Sequence, residues 1–208
     1  MDRYSIVNVV APADEPVTLA QAKAHLGVTH SNDDTFISAL ITAAREACEN
    51  ELNRALVYSQ WALRLDAFPC EEIIVPKPPL YSVASIAYID GNGAEQTWAA
   101  ASYQVDAKSE PGRIMPAFGG TWPQTREQYN AVIVTYWAGY APVEVGSPTD
   151  FSGNVPQAIK QAILLTLGNF YGNRESVIAG PAAQFVQLPQ NAKWLLGQHR
   201  VEDFRLSS

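Results

Sequence analysis

The chain has 208 residues and a mass of 22.7 kDa, 47% hydrophobic and 17% charged, enough for a buried core without disulfide or metal staples. Lys and Arg number 14 against 21 Asp and Glu, a net charge of −7 and a pI near 4.9, which excludes a protein that grips nucleic acid through a broadly basic surface. No apolar run approaches the ~20 residues of a membrane span. The opening MDRYSIVNVV lacks the charged n-region and long apolar h-region of a signal peptide, so no membrane partner is expected. Cys48 and Cys70 are too few for a disulfide framework and have no metal-ligand spacing, as suits a reduced cytoplasmic protein.

In chain order, Thr18 before LAQAKAHL is an N-cap, and Gly27 is a natural stop for that short helix. A second helix starts at Ser31, with Asp33 and Asp34 in the first turn, where the helix dipole favours acids. Its apolar residues Phe36, Ile37, Leu40, Ile41, Ala44, Cys48 and Leu52 recur at threes and fours, predicting one buried stripe. Arg45, Glu46, Glu49 and Asn53 are predicted to face away from it. Beyond residue 57 the period changes to two. Trp61, Leu63 and Leu65 alternate with Ala62, Arg64 and Asp66 as in a half-buried strand. Further strands are predicted at EEIIVP, Tyr81–Asp90, Gln96–Trp98, Tyr103–Asp106, Gly112–Met115 and Ala131–Trp137. The Asp90-Gly91-Asn92-Gly93 run is a hairpin turn, because Gly and Asn tolerate positive φ. This middle region reads as a curved antiparallel sheet or partial barrel.

A third helix is predicted over Pro156–Tyr171, capped by Asn154, and a short last one over Pro189–Leu196. The third is apolar around most of its circumference and must bury more than one face, in the domain centre or against another subunit. The expected fold class is α+β: helices from the N- and C-terminal parts packed together, with a small antiparallel β insertion in the middle. The expected organisation is a single domain, 1–208, with a helical part 17–56, a β insertion 57–148, a helical part 153–196 and a tail 197–208. Charge is uneven along it, −4 over 1–54, −5 over 55–150 and +2 over 151–208.

Chemistry-bearing constellations are sparse. His25 and His30 with Asp33 and Asp34 are the one imaginable metal set, but helix capping and solvation account for both aspartates. Cys48 belongs to an apolar stripe, and Cys70 has no His near it in sequence. No nucleophile elbow, P-loop, zinc-protease or dinucleotide motif occurs, and Gly119–Gly120 lead into Thr-Trp-Pro rather than a phosphate cradle. No catalytic residue, metal or cofactor is expected, and the chain is not read as an enzyme. Trp61, Trp98, Trp122, Trp137, Tyr136 and Tyr140 suit a core or interface, with a base- or sugar-stacking platform as the competing view.

An ordered set of segments carries a family resemblance: VTLAQAKAHLGV (17–28), DDTFISALITAAREACENELNRAL (33–56, a helix), SQWALRLDAFP (59–69) and PKPPLYSVASIAYIDGNG (76–93). YQVDAKSEPGRI (103–114), AVIVTYWAGY (131–140) and VPQAIKQAILLTLGNFYGNRES (155–176) complete it. Together they resemble the head–tail connector (adaptor, or head-completion) proteins of tailed bacteriophages, prophages and gene transfer agents. The resemblance implies a structural virion assembly protein at the virion neck, made in the host bacterial cytoplasm. It implies a ring of about a dozen copies under the portal, with the portal protein, neighbouring copies and a downstream neck or tail protein as partners. DNA would be a passing, non-specific contact. Another neck protein, a stopper or tail terminator, is the nearest alternative; a β-type ligand-binding module or small hydrolase is further off.

Three sets of residues follow as expectations. Ile159, Ile163, Leu164, Leu167, Phe170 and Tyr171 would meet neighbouring subunits. Glu46 and Glu49 would line a channel or ring face, where acids repel phosphates and weaken DNA sticking. Trp194, Leu195, Leu196, Arg200, Val201, Phe204 and Arg205, apolar anchors flanked by bases, would dock on the portal.

Overall fold

A computed structural model describes residues 4–140, 154–173 and 188–201. The chain divides into two compact units, one of Asp14–Leu52 and Pro142–Arg200, the other of Met1–Ala13, Asn53–Ala141 and Val201–Ser208. The first is helical and the second is built from antiparallel strands, so the fold is α+β.

In the helical unit, α1 (Leu19–Leu26) starts at a full capping box. Thr18 Oγ1 accepts from the Gln21 N–H at 3.2 Å, and the Gln21 side chain accepts from the Thr18 N–H at 2.9 Å. Gly27 ends it at φ +69°, a left-handed cap that favours glycine. Helix α2 runs Asp34–Leu52. The segment expected to stay helical to residue 56 stops earlier, because Asn53 turns the chain at φ +54°. Helix α3 (Gln157–Gly172) has Pro156 in the N-cap position with no side-chain cap, so Asn154 does not take the capping role expected of it. Helix α4 spans Gln190–Gly197. Helices from both halves of the sequence pack together, α3 against α1, α2 and α4. Ile37, Ile41, Cys48, Ile159, Ile163 and Leu167 are fully or nearly fully buried.

The β unit holds two sheets. Strands β1 (Tyr4–Val10), β2 (Ser59–Leu65), β4 (Leu80–Ile89), β5 (Glu95–Trp98) and β8 (Val132–Ala138) form one, in the order β1-β2-β8-β4-β5. Strands β3 (Ile73–Val75), β6 (Tyr103–Asp106) and β7 (Gly112–Pro116) form the other, in the order β3-β7-β6. Every pairing between these strands is antiparallel. Register follows the period-two pattern: Leu63 and Ile86 both face Val134, and all three are fully buried. Tyr136 is buried in the same core and donates its hydroxyl to the Pro76 carbonyl at 3.0 Å. The predicted strands from residue 57 onward are present within a residue or two of their expected limits. Strand β1 was not expected; it brings the N-terminal segment to the edge of the larger sheet, beside β2.

Candidate functional site

The expected outward face of α2 is corrected by the structure. Arg45 and Glu49 are buried, and Arg45 forks between two carboxylates: Nε donates to Glu15 at 2.8 Å and a terminal nitrogen donates to Glu49 at 2.7 Å. Glu15 also accepts from the Thr42 hydroxyl at 2.8 Å. Burial works against the Arg45 charge, but Glu49, Glu15 and Glu46 more than offset it, and its pKa stands above the usual value. Glu49 therefore belongs to an internal ion cluster rather than a channel wall. Glu46, the other acid expected on a ring face, is exposed, 3.7 Å from Arg45. Phe36, assigned to the apolar stripe, is instead partly exposed and lies 6.2 Å from the Tyr171 ring.

On α3, Ile159, Ile163 and Leu167 were expected at a subunit interface and are fully buried within their own chain. Packing on three sides by α1, α2 and α4 already satisfies much of the helix's apolar circumference. Leu164, Leu165, Phe170 and Tyr171 remain half-buried and are what α3 offers outward. Tyr171 donates to Asp33 at 2.6 Å, and Asp34 pairs with Lys23 at 2.6 Å, so both aspartates of the imagined metal set hold helices together. Among the described residues no group of three or more His, Cys, Asp or Glu is placed to hold a metal ion. No helix of the described residues is long and apolar enough to cross a membrane.

Of the residues expected to dock on a portal, Leu196 is buried, Leu195 is half-buried and Trp194 is 71% exposed. Arg200 is also exposed and lies 3.7 Å from Glu51. Val201 is half-buried, and Phe204 and Arg205 lie outside the described residues. One face of α4 thus anchors the helix while a tryptophan stands out to solvent from the other.

The four tryptophans of the β unit are held by packing or hydrogen bonds. Trp122 stacks on Phe68 at 4.8 Å, Trp98 lies 5.1 Å from Trp122 and 5.3 Å from Tyr103, and Trp137 stacks on Tyr58 at 4.6 Å. Trp61 donates to the Ser59 hydroxyl at 2.9 Å. Trp122 donates to the Glu71 carbonyl at 3.2 Å, so its polar edge is committed as well. Asp106 closes the β6–β7 turn, and the Ser109 hydroxyl and Arg113 hold its carboxyl well below the usual range.

The two thiols differ in environment. Burial pushes the Cys48 thiol up to about 12, against a weaker opposing hydrogen bond from Thr166, while Cys70 is exposed. A maleimide titration is expected to label one thiol in the native protein and two after unfolding. Native labelling of both would contradict the packing of α2 on α3. Because the folded thiol ionises later than the unfolded one, its contribution to stability is intact below the ordinary value of 9.0 and is lost as pH rises from there towards about 12. Cys48→Ala should flatten the decline in stability over that window.

Residues 16–109 match the family model described as phage gp6-like head-tail connector protein. Among solved structures, the fold matches a chain in the neck of an empty gene transfer agent (GTA) particle with C6 symmetry, at a TM-score of 0.75 and 19% identity over 97% of both chains. A chain in the virion of a native gene transfer agent particle matches at 0.74 and 20% identity, over 96% of this chain and 97% of that one. A chain in the neck of a native GTA particle with C12 symmetry matches at 0.73 and 21% identity, again over 97% of each. At these identities the likeness is one of fold. No curated protein sequence gives a significant match. Through residues 16–109, which carry α1, α2 and the strands from β2 to β6, the chain is similar to the phage gp6-like head-tail connector family.

Proposed function

We propose that this chain is a structural subunit of a virion neck, where copies form a ring between portal and tail and let DNA pass. The connector-family match over residues 16–109 carries this reading, and the fold shared with GTA neck chains over 97% of the length supports it. The role is assembly rather than catalysis. Assembly takes place in the host cytoplasm, and the finished subunit resides in the virion neck. The C6 and C12 symmetry of those necks suits copies related by rotation about an axis. A net charge of −7 suits a protein that DNA passes without sticking, since acidic walls repel phosphates and release few counterions. Exposed Glu46 is the residue on α2 that would serve such a face.

Trp194, with half-buried Leu195 and exposed Arg200, gives the docking surface for the portal: an aromatic anchor beside a base fits an acid-rimmed groove. The test is co-expression with the portal protein of the same genetic element, followed by affinity purification and imaging. The expected result is a stable complex showing a ring stacked on the portal. A chain that stays apart from the portal and joins the tail end instead would replace this reading with that of a tail terminator. Trp194→Ala should weaken portal capture at least tenfold without altering the monomer's circular dichroism. Undiminished capture would remove α4 from the docking surface.

A further inference from the structure

Two charge-free apolar surfaces stand at opposite sides of the β unit. The first is the turn after β7. Residues 114–125 contain no charged side chain, and at their centre Phe118 is fully exposed, at 101%. The turn holding it is ordered by its own backbone: the Gly120 N–H donates to the Ala117 carbonyl at 2.7 Å, and Gly119 takes φ +75°, as the third residue of a type II turn requires. The Ala117 N–H is tied to the Ser102 carbonyl at 2.9 Å, and Trp122 is clamped on Phe68. Nothing in this arrangement needs a phenyl group at 118. It is a rigid support that holds one in solvent, and a pre-ordered aromatic loses little conformational entropy when it docks.

The second surface is β1. Residues 4–13 also contain no charged side chain, and β1 is an edge strand with Val7, Val9 and Val10 exposed, Val9 at 53%. Natural edge strands usually carry lysines or prolines that discourage association, and β1 has neither. Its register shifts between Asn8 and Val10, a bulge that interrupts the ladder and re-aims Val9. An interrupted ladder is a poor template for an added strand. Three clustered valines are a good seat for an aromatic side chain.

The two surfaces lie at different strands of the larger sheet. β1 is the first strand of the larger sheet, while the Phe118 loop lies beside the last: Thr125 bridges Asp90 at the end of β4, and Trp122 packs on Trp98 of β5. Four inter-strand spacings separate those edges, about 19 Å measured along the sheet. A knob on one edge and its seat on the other is the arrangement of a head-to-tail contact, which repeats around a ring. We infer that Phe118 of one copy seats on Val7, Val9 and Val10 of the next copy, forming the lateral contact of the β units. This rests on the ring reading above and adds which surfaces join.

The test uses full-length protein assembled on its portal in a Cys70→Ser background, which leaves only buried Cys48. Ala11→Cys and Thr121→Cys, exposed positions beside the contact that leave Phe118 and the three valines in place, are introduced singly and together, and a bismaleimide spanning about 8 Å is added. With both cysteines in each copy, the expected product is a ladder of covalent multimers, while either single variant alone stays at monomer size. Phe118→Ser should lower ring yield at least tenfold with an unchanged monomer melting curve. If rings form normally with Phe118→Ser, or the double-cysteine rings give no ladder, the inference falls and the ring reading stands. If unmodified protein forms no ring on the portal, both fall.

Discussion

Gly139→Ala is expected to destabilise the β unit by at least about 3 kcal/mol. Gly139 follows β8 at φ +112°, a conformation that residues with a side chain rarely adopt. A Cβ there would collide with the carbonyl carbon and oxygen of Val57 and stand 2.7 Å from the Tyr58 nitrogen. These are backbone atoms, so no rotamer change relieves the overlap. The segment is also fixed from other sides: the Gly139 N–H donates to the Pro79 carbonyl at 3.0 Å, Tyr140 bridges Val57, and Tyr58 stacks on Trp137. Moving the chain aside would disturb all three. Gly91→Ala is the control, since no atom lies within 4 Å of its would-be Cβ and its φ is not positive. It should change stability by less than about 0.5 kcal/mol. Urea unfolding of the two variants, followed by tryptophan fluorescence, separates the outcomes. Equal midpoints would mean that β8 and the 57–58 segment do not approach as described.

Strands were legible where alternation was clean and turns punctuated it. Leu63 and Leu65 against Arg64 fix parity before any pairing is known. β1 escaped because YSIVNVV has apolar residues of both parities. One face of it touches the core only through Ile6, and the other is exposed, so no single buried face writes a pattern. The ends of α2 and α3 were misplaced by one local effect each. Asn53 leaves the helical region at φ +54°, and Pro156 occupies the cap position in place of Asn154.

The interaction surfaces were less legible. Helical periodicity found α3 apolar nearly all round, but could not say which side the chain itself covers. α1, α2 and α4 take Ile159, Ile163 and Leu167, and leave Leu164 and Phe170 half-buried. Trp194 looks in sequence like any other apolar residue beside Leu195 and Leu196. Only the packing shows that Leu196 is the anchor and Trp194 the residue left outside. Phe118 gave a signal in principle, an aromatic beside Gly119–Gly120 in a charge-free loop, yet a glycine pair is usually examined for phosphates rather than for the residue it displays.

Arg45→Ala is expected to cost the helical unit about 3–5 kcal/mol, because it leaves the Glu49 carboxylate buried without its guanidinium. The period of α2 gave no warning: Arg45 and Glu49 fall off the apolar stripe, and the second carboxylate, Glu15, comes from 30 residues upstream. Only the tertiary fold closes that segment over the helix and takes the pair out of water. Three further variants isolate the cause. Glu46→Ala removes an exposed acid 3.7 Å from Arg45 and should cost less than about 1 kcal/mol. Arg45→Lys keeps the charge but loses the fork that reaches Glu15 and Glu49 together, and should fall between Glu46→Ala and Arg45→Ala. Arg45→Met combined with Glu49→Leu removes the buried charges and should recover much of the loss, since well-packed apolar residues often match a buried pair. The readout is the urea midpoint followed by circular dichroism at 222 nm, a helix-weighted signal. A double variant no more stable than Arg45→Ala would show that the lost packing of the arginine stem, and not the stranded carboxylate, sets the cost.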